Sequence, residues 1–147
     1  MAKRFSFRLE SVLKIRTHKA ELAKEELNKV IAYRLEKERK KDNFIEEINT
    51  TIRKSKRTSI ADFQANYQYK SFLEEEIKKL EGEILRILEI EVIRRTALAE
   101  ALKDQKVIEK LKEKKQEDYR LEMNQLDAIF FDELAINRFD KVETYFR

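Results

Sequence analysis

Apolar side chains recur along this chain in steps of four and three. From the N-terminal end the stripe reads Leu9, Leu13, Arg16, Ala20, Ala23, Leu27, Val30, a spacing that keeps one face of a helix turned toward a partner helix. The small Ala20 and Ala23 predict close approach of the two helices. After Val30, Ile31 and Leu35 lie beside the next positions rather than on them, which predicts a local stutter that unwinds the supercoil. The run Glu36–Asp42 has no apolar residue and reads as a solvated or weakly packed stretch rather than a binding patch. The stripe resumes at Phe44, Ile45, Ile48 and Ile52.

No apolar residue occurs from Arg53 to Ser59, and Ser59-Ile60-Ala61-Asp62 follows. This is the capping-box pattern, in which the hydroxyl accepts an amide of the first helical turn and the carboxylate reaches back to the cap residue. One helix therefore ends before Lys56 and another begins at Ser59, joined by a turn short enough for antiparallel neighbours. Beyond the turn, Phe63, Tyr67 and Tyr69 form an aromatic-rich stretch. A second capping box, Ser71-Phe72-Leu73-Glu74, predicts the start of the main second helix, with residues 60–68 a separate short helix or a bend near residues 66–71. The second stripe then runs Leu73, Ile77, Leu80, Ile84, Ile87 or Leu88, Leu98, Ala101 or Leu102, and Ile108. Gly82 lies inside it, where glycine costs about 1 kcal/mol relative to alanine, and its missing side chain suggests close packing.

The predicted fold is all-α, a long antiparallel two-helix coiled-coil hairpin forming one domain over residues 1–147. Its first helix covers about residues 7–55, its turn about 56–59 and its second helix about 60–136, followed by a short tail. Counting back from the break near residues 54–59 sets Leu9 opposite roughly residue 105. That leaves a C-terminal helical overhang of about 30 residues, or about 45 Å. It carries Leu111, Tyr119, Met123, Leu126, Ile129, Phe130 and Leu134, an apolar face without an internal partner.

Composition agrees with extended helices. Charged residues make up 42% and hydrophobic residues 41%, with one glycine and no proline or tryptophan. That is enough apolar material for a seam and too little for a broad globular core. The regular Ile and Leu positions between residues 72 and 111 argue against disorder. The absence of cysteine removes disulfides and thiolate metal sites and suits a reducing cytoplasm. Met1–Arg8 has no signal-peptide core, and no apolar run approaches the ~20 residues of a membrane span, so a soluble, unprocessed protein is expected. Residues 1–58 hold 17 Lys+Arg against 9 Asp+Glu, and residues 59–147 hold 16 against 20. A basic first helix beside a mildly acidic second one favours their pairing.

Candidate chemistry is sparse. His18, the single histidine, stands among charged residues with no spacing to a second ligand or base. Phosphate loops, nucleophile–base sets and EF-hand patterns are missing. No catalysis, cofactor, metal or small-molecule substrate is expected. Arg53, Lys54, Lys56 and Arg57 form a basic cluster at the turn, but no stacking platform accompanies it and nucleic acid is not the expected partner.

Three stretches resemble the flagellar FliJ family and, more loosely, the YscO-like proteins of injectisomes. Phe5-Ser6-Phe7-Arg8-Leu9 through Val12-Leu13 and Arg16 is similar to the family's N-terminal F-x-F-x-L-x-x-(V/L)-L-x-x-R. Asn66–Leu73 resembles the Tyr/Gln/Phe segment after the turn, and Leu126–Arg138 the acidic-then-Arg C-terminal pattern. The resemblance implies a cytoplasmic part of the type III export machinery, peripherally associated with the inner membrane at the flagellar base. It further implies a coiled coil similar to the central stalk of rotary ATPases, which binds the hexameric export ATPase, the cytoplasmic part of the export-gate membrane protein, and export chaperones. On that footing Met123, Leu126, Ile129, Phe130 and Leu134 would meet the ATPase ring, and Tyr69, Phe72 and Leu73 the export gate. Glu76 departs from relatives that carry an apolar residue there. The alternative function is a generic coiled-coil spacer or holdase chaperone without an ATPase partner.

Overall fold

The computed structural model describes residues 3–56 and 59–146. The chain is an all-α helical hairpin of two packed helices, α1 (Glu10–Ser55) and α2 (Ile60–Phe146). Arg57 and Thr58, within the expected turn, lie outside the described residues. The Ser59 cap forms as expected in part: the Asp62 amide donates to the Ser59 hydroxyl at 3.4 Å, and that hydroxyl donates to the Asp62 carboxylate at 3.0 Å. Arg53 and Lys54 occupy the last turn of α1, where positive charge favours the exposed carbonyls. α1 begins at Glu10 rather than near residue 7, and α2 runs to Phe146 rather than stopping near residue 136.

The chain divides into two compact units, one of His18–Leu102 and one of Met1–Thr17 with Lys103–Arg147. In the first, α1 keeps its four–three stepping without a stutter. Ala20, Ala23, Leu27, Val30, Arg34, Lys37, Lys41, Phe44, Ile48, Thr51 and Ser55 are all buried or half-buried, while Ile45 and Ile52 are exposed. The stripe does not slip after Val30; it changes from apolar to basic. Lys37 and Lys41 lay their aliphatic stems along the seam and reach Glu83 and Glu81 of α2 at 3.1 and 3.3 Å. The solvated run expected at 36–42 is thus partly a packed one.

On α2 the same unit has Asn66, Lys70, Leu73, Ile77, Leu80, Ile84, Ile87, Glu91, Leu98 and Ala101 at buried or half-buried seam positions. Ile87 and Ala101 take the core positions, leaving Leu88 and Leu102 exposed. α2 is one continuous helix, so residues 60–68 are not a separate short helix, and Asn66, Lys70 and Leu73 keep the stepping through 66–71. Gly82 has no packing role either: a Cβ built there meets no atom within 4 Å.

Glu91 is the one buried charge among the described residues, 4% exposed. Its two carboxylate oxygens accept from Arg95 at 2.8 Å and from Arg34 at 2.7 Å, and Arg34 also donates to Glu38 at 2.9 Å. Hydrogen bonding from Arg95, with that from Arg34, holds the Glu91 carboxyl below the usual carboxylate range although burial opposes this. A charge buried on a coiled-coil seam is tolerated only in the register that brings its partners opposite it. A depressed carboxyl pKa contributes stability that is complete above its unfolded value, about 4.3, and is lost as pH falls through the folded value. Glu91→Gln is therefore expected to melt several degrees below the wild type at pH 7, with the gap closing on acidification below that value. A gap that stays constant with pH would show that the Glu91 charge does not contribute.

In the second unit Leu9, Leu13 and Arg16 of the first stripe and Gln105, Ile108 and Lys112 of the second are buried or half-buried. Arg16 donates to the Asp104 carbonyl at 2.9 Å, Gln105 to the Thr17 hydroxyl at 3.2 Å, and Lys112 pairs with Glu10 at 2.9 Å. Glu10 opposite Lys112 replaces the expected pairing of Leu9 with residue 105. The α1 stripe continues to its last residue, Ser55, whereas residues 60–65 of α2 are exposed and its stripe starts only at Asn66. Equal counting from the turn misses that offset.

Candidate functional site

Most of the residues expected to meet partners fall on two exposed surfaces. The larger belongs to the unit that contains both chain ends. Every described side chain from 124 to 144 is exposed, among them Leu126, Ile129, Phe130, Phe131, Leu134, Ile136, Phe139 and Val142. A lone helix gains most of its stability by burying such side chains. Of the five residues expected here, Met123 is half-buried and the other four are exposed. At 100° per residue, Met123, Leu126, Phe130 and Leu134 fall on one stripe, and Ile129 lies on its flank.

Part of that stripe is covered by the segment that precedes α1, of which only the end, from about Phe7, reads as helix in the sequence. Residues Lys3–Phe7 are not helical. The Phe7 carbonyl accepts the Glu10 amide at 3.2 Å as the helix begins. Phe5, Phe7 and Leu9 are half-buried while Ser6 and Arg8 are exposed, the alternation of an extended strand of chain with one face down. The Phe5 ring lies 5.6 Å from that of Tyr119, whose hydroxyl donates to the Lys3 carbonyl. Between this strap and α2 lies a groove of about 910 Å³, whose floor includes Leu111, Met123, Leu126 and Phe130. Asp118, Glu122 and Asp127 line it from α2, and Lys3, Arg4 and Arg8 from the strap. The period-two pattern of Phe5-x-Phe7-x-Leu9 was the available sequence signal for the strap.

The smaller surface follows the turn. Tyr69 and Phe72 are exposed on one flank of the α2 seam, and Tyr69 donates to Glu47 of α1 at 2.8 Å, a bond that raises its phenol pKa. Leu73 does not join them: at 1% exposure it is the most deeply buried large side chain described, so it supports this surface from the core and is not accessible within it. On the other flank Phe63 and Tyr67 line a small cavity of about 220 Å³ with Ile52 and Lys70.

Among the described residues, no group of three or more His, Cys, Asp or Glu is placed to hold a metal ion. No helix described is long and apolar enough to cross a membrane. The family described as Flagellar FliJ protein matches residues 5–143 of the chain. No curated protein and no solved structure matches it.

Proposed function

Because the chain belongs to the flagellar FliJ protein family, and so to the non-catalytic components of the flagellar export apparatus, we propose that it is a central-stalk-like coiled coil that binds the hexameric export ATPase. In this reading it works in the cytoplasm at the flagellar base, peripherally associated with the inner membrane, couples the ATPase to the export gate and assists export chaperones. One observation carries the ATPase contact: the stripe Met123, Leu126, Phe130, Leu134, with Ile129 beside it, ends in a stretch of α2 whose described side chains, 124–144, are all exposed. An amphipathic helix left bare in this way is suited to a groove or ring on another protein. Met123 adds an unbranched, adaptable side chain to such a contact and Phe130 a large apolar one. Mixing the full chain with the purified export ATPase is expected to give a complex that co-elutes in gel filtration. Separate elution at micromolar concentrations of both would remove the stalk reading.

Tyr69 and Phe72 are proposed to contact the cytoplasmic part of the export-gate protein, with Leu73 holding the helix beneath them. Phe72 is 55% exposed, and exposed positions contribute little to stability, within about 0.5 kcal/mol. Phe72→Ala should weaken gate binding about tenfold, roughly 1.4 kcal/mol, with helicity and melting nearly unchanged. Gate affinity equal to that of the wild type would exclude Phe72 from the contact.

A further inference from the structure

We propose that the groove beneath the N-terminal strap is a peptide-docking site for a basic, aromatic segment of a partner protein, and that residues 3–9 are its built-in competitor. The inference rests on the reading of this α2 face as a partner contact, and adds the chemistry of what binds there. The chain carries a sample ligand for its own groove. Phe5 and Phe7 are half-buried while Ser6 and Arg8 are exposed, and the Phe5 ring lies against Tyr119 of α2, so a segment with aromatics two residues apart fits the face. α2 lines the groove with Asp118, Glu122 and Asp127 against one cation, Lys115, and the strap lines it with Lys3, Arg4 and Arg8, so a basic occupant meets a wall of net negative charge.

The strap is also a replaceable occupant. Its first five described residues, 3–7, are not helical, and the hold described for them on α2 at the near end is one ring contact and one bond from Tyr119 to Lys3. At the far end Leu126 and Phe130 stay more than half exposed although they line the same groove. A segment that reaches them buries more apolar surface than the strap does. A tethered occupant acts at an effective concentration on the order of millimolar, which sets the threshold that a partner must exceed and keeps weaker sequences out.

The test uses the full chain and a fluorescent synthetic peptide of residues 3–9, followed by anisotropy with no ATPase present. In the variant Phe5→Ser with Phe7→Ser the strap loses its aromatics, and the peptide should bind at least about tenfold tighter than to the wild type. Adding Phe130→Glu to that variant should abolish binding, and a peptide with its Lys and Arg replaced by Glu should not bind. Equal binding to wild type and variant, binding insensitive to Phe130, or no binding to either would overturn the inference. Should the serine variant lose helicity, Lys3→Glu with Arg4→Glu weakens the strap while keeping its aromatics, and the same outcomes decide. If the peptide fails while the ATPase still forms a complex with the chain, the strap inference falls and the stalk reading stands. If the peptide binds as expected and no ATPase complex forms, the stalk reading falls and the strap inference stands.

Discussion

Leu73→Ala is expected to destabilise the hairpin by about 3 kcal/mol, within the roughly 2–5 kcal/mol seen when a buried leucine is truncated. Leu73 is 1% exposed and continues the stepping from Lys70 to Ile77 and Leu80. A two-helix seam has no second layer of side chains that could collapse into the space left behind. The change should appear as a lower urea midpoint with an unchanged slope, since the surface exposed on unfolding stays nearly the same. The neighbouring Phe72→Ala provides the internal control, because both substitutions remove a large apolar group one residue apart and only one of them empties the seam. A loss below about 1 kcal/mol for Leu73→Ala would mean that the helices do not pack there in solution.

The second large effect is expected from Met123→Glu combined with Phe130→Glu. The pair puts two carboxylates into the stripe proposed for the ATPase while sparing the seam. Phe130 is 58% exposed, so its replacement removes little packing. Met123 is half-buried at the floor of the groove, and a glutamate there keeps an open route to water. The double variant should retain its helicity and its seam while complex formation with the ATPase falls below detection. Two copies pairing through their bare C-terminal helices would hide the same stripe. Sedimentation separates these cases: a wild-type dimer, a monomeric variant and unchanged ATPase binding would identify the stripe as a dimer interface.

The apolar seam was readable because its period is the signal. Leu73, Ile77, Leu80 and Ile84 follow it directly, and extending the same count chooses Ile87 over Leu88 and Ala101 over Leu102. The polar part of the seam was not readable by that rule. A search for apolar residues passes over Arg34, Lys37, Lys41 and Glu91, whose burial depends on partners supplied by the other helix. Counting four and three onward from Val30 would have reached all three basic residues and then Phe44. The helix start expected at Ser71 is absent for a different reason: S-x-x-E is a local pattern, equally compatible with a helix interior once the seam on both sides keeps its phase. Gly82 suggested close packing only because glycine is costly within a helix, and its surroundings are open. The strap was hidden by the helical reading of Leu9 and Leu13, which drew Phe7 to the start of α1 and left Phe5 without an assigned role in the fold. At the C-terminal end the apolar residues were recognised, but their arrangement around α2 was not. Phe131, Ile136, Phe139 and Val142 extend the bare surface beyond one stripe.

The most direct test of the stalk assignment is a titration of the purified export ATPase with this chain, following ATP hydrolysis and complex formation together. With wild-type protein both should rise and saturate at a fixed ratio of chain to hexamer, and with the Met123→Glu, Phe130→Glu variant both should stay at the level of the ATPase alone. Saturable stimulation by the variant equal to that of the wild type would contradict the assignment of this face to the ATPase.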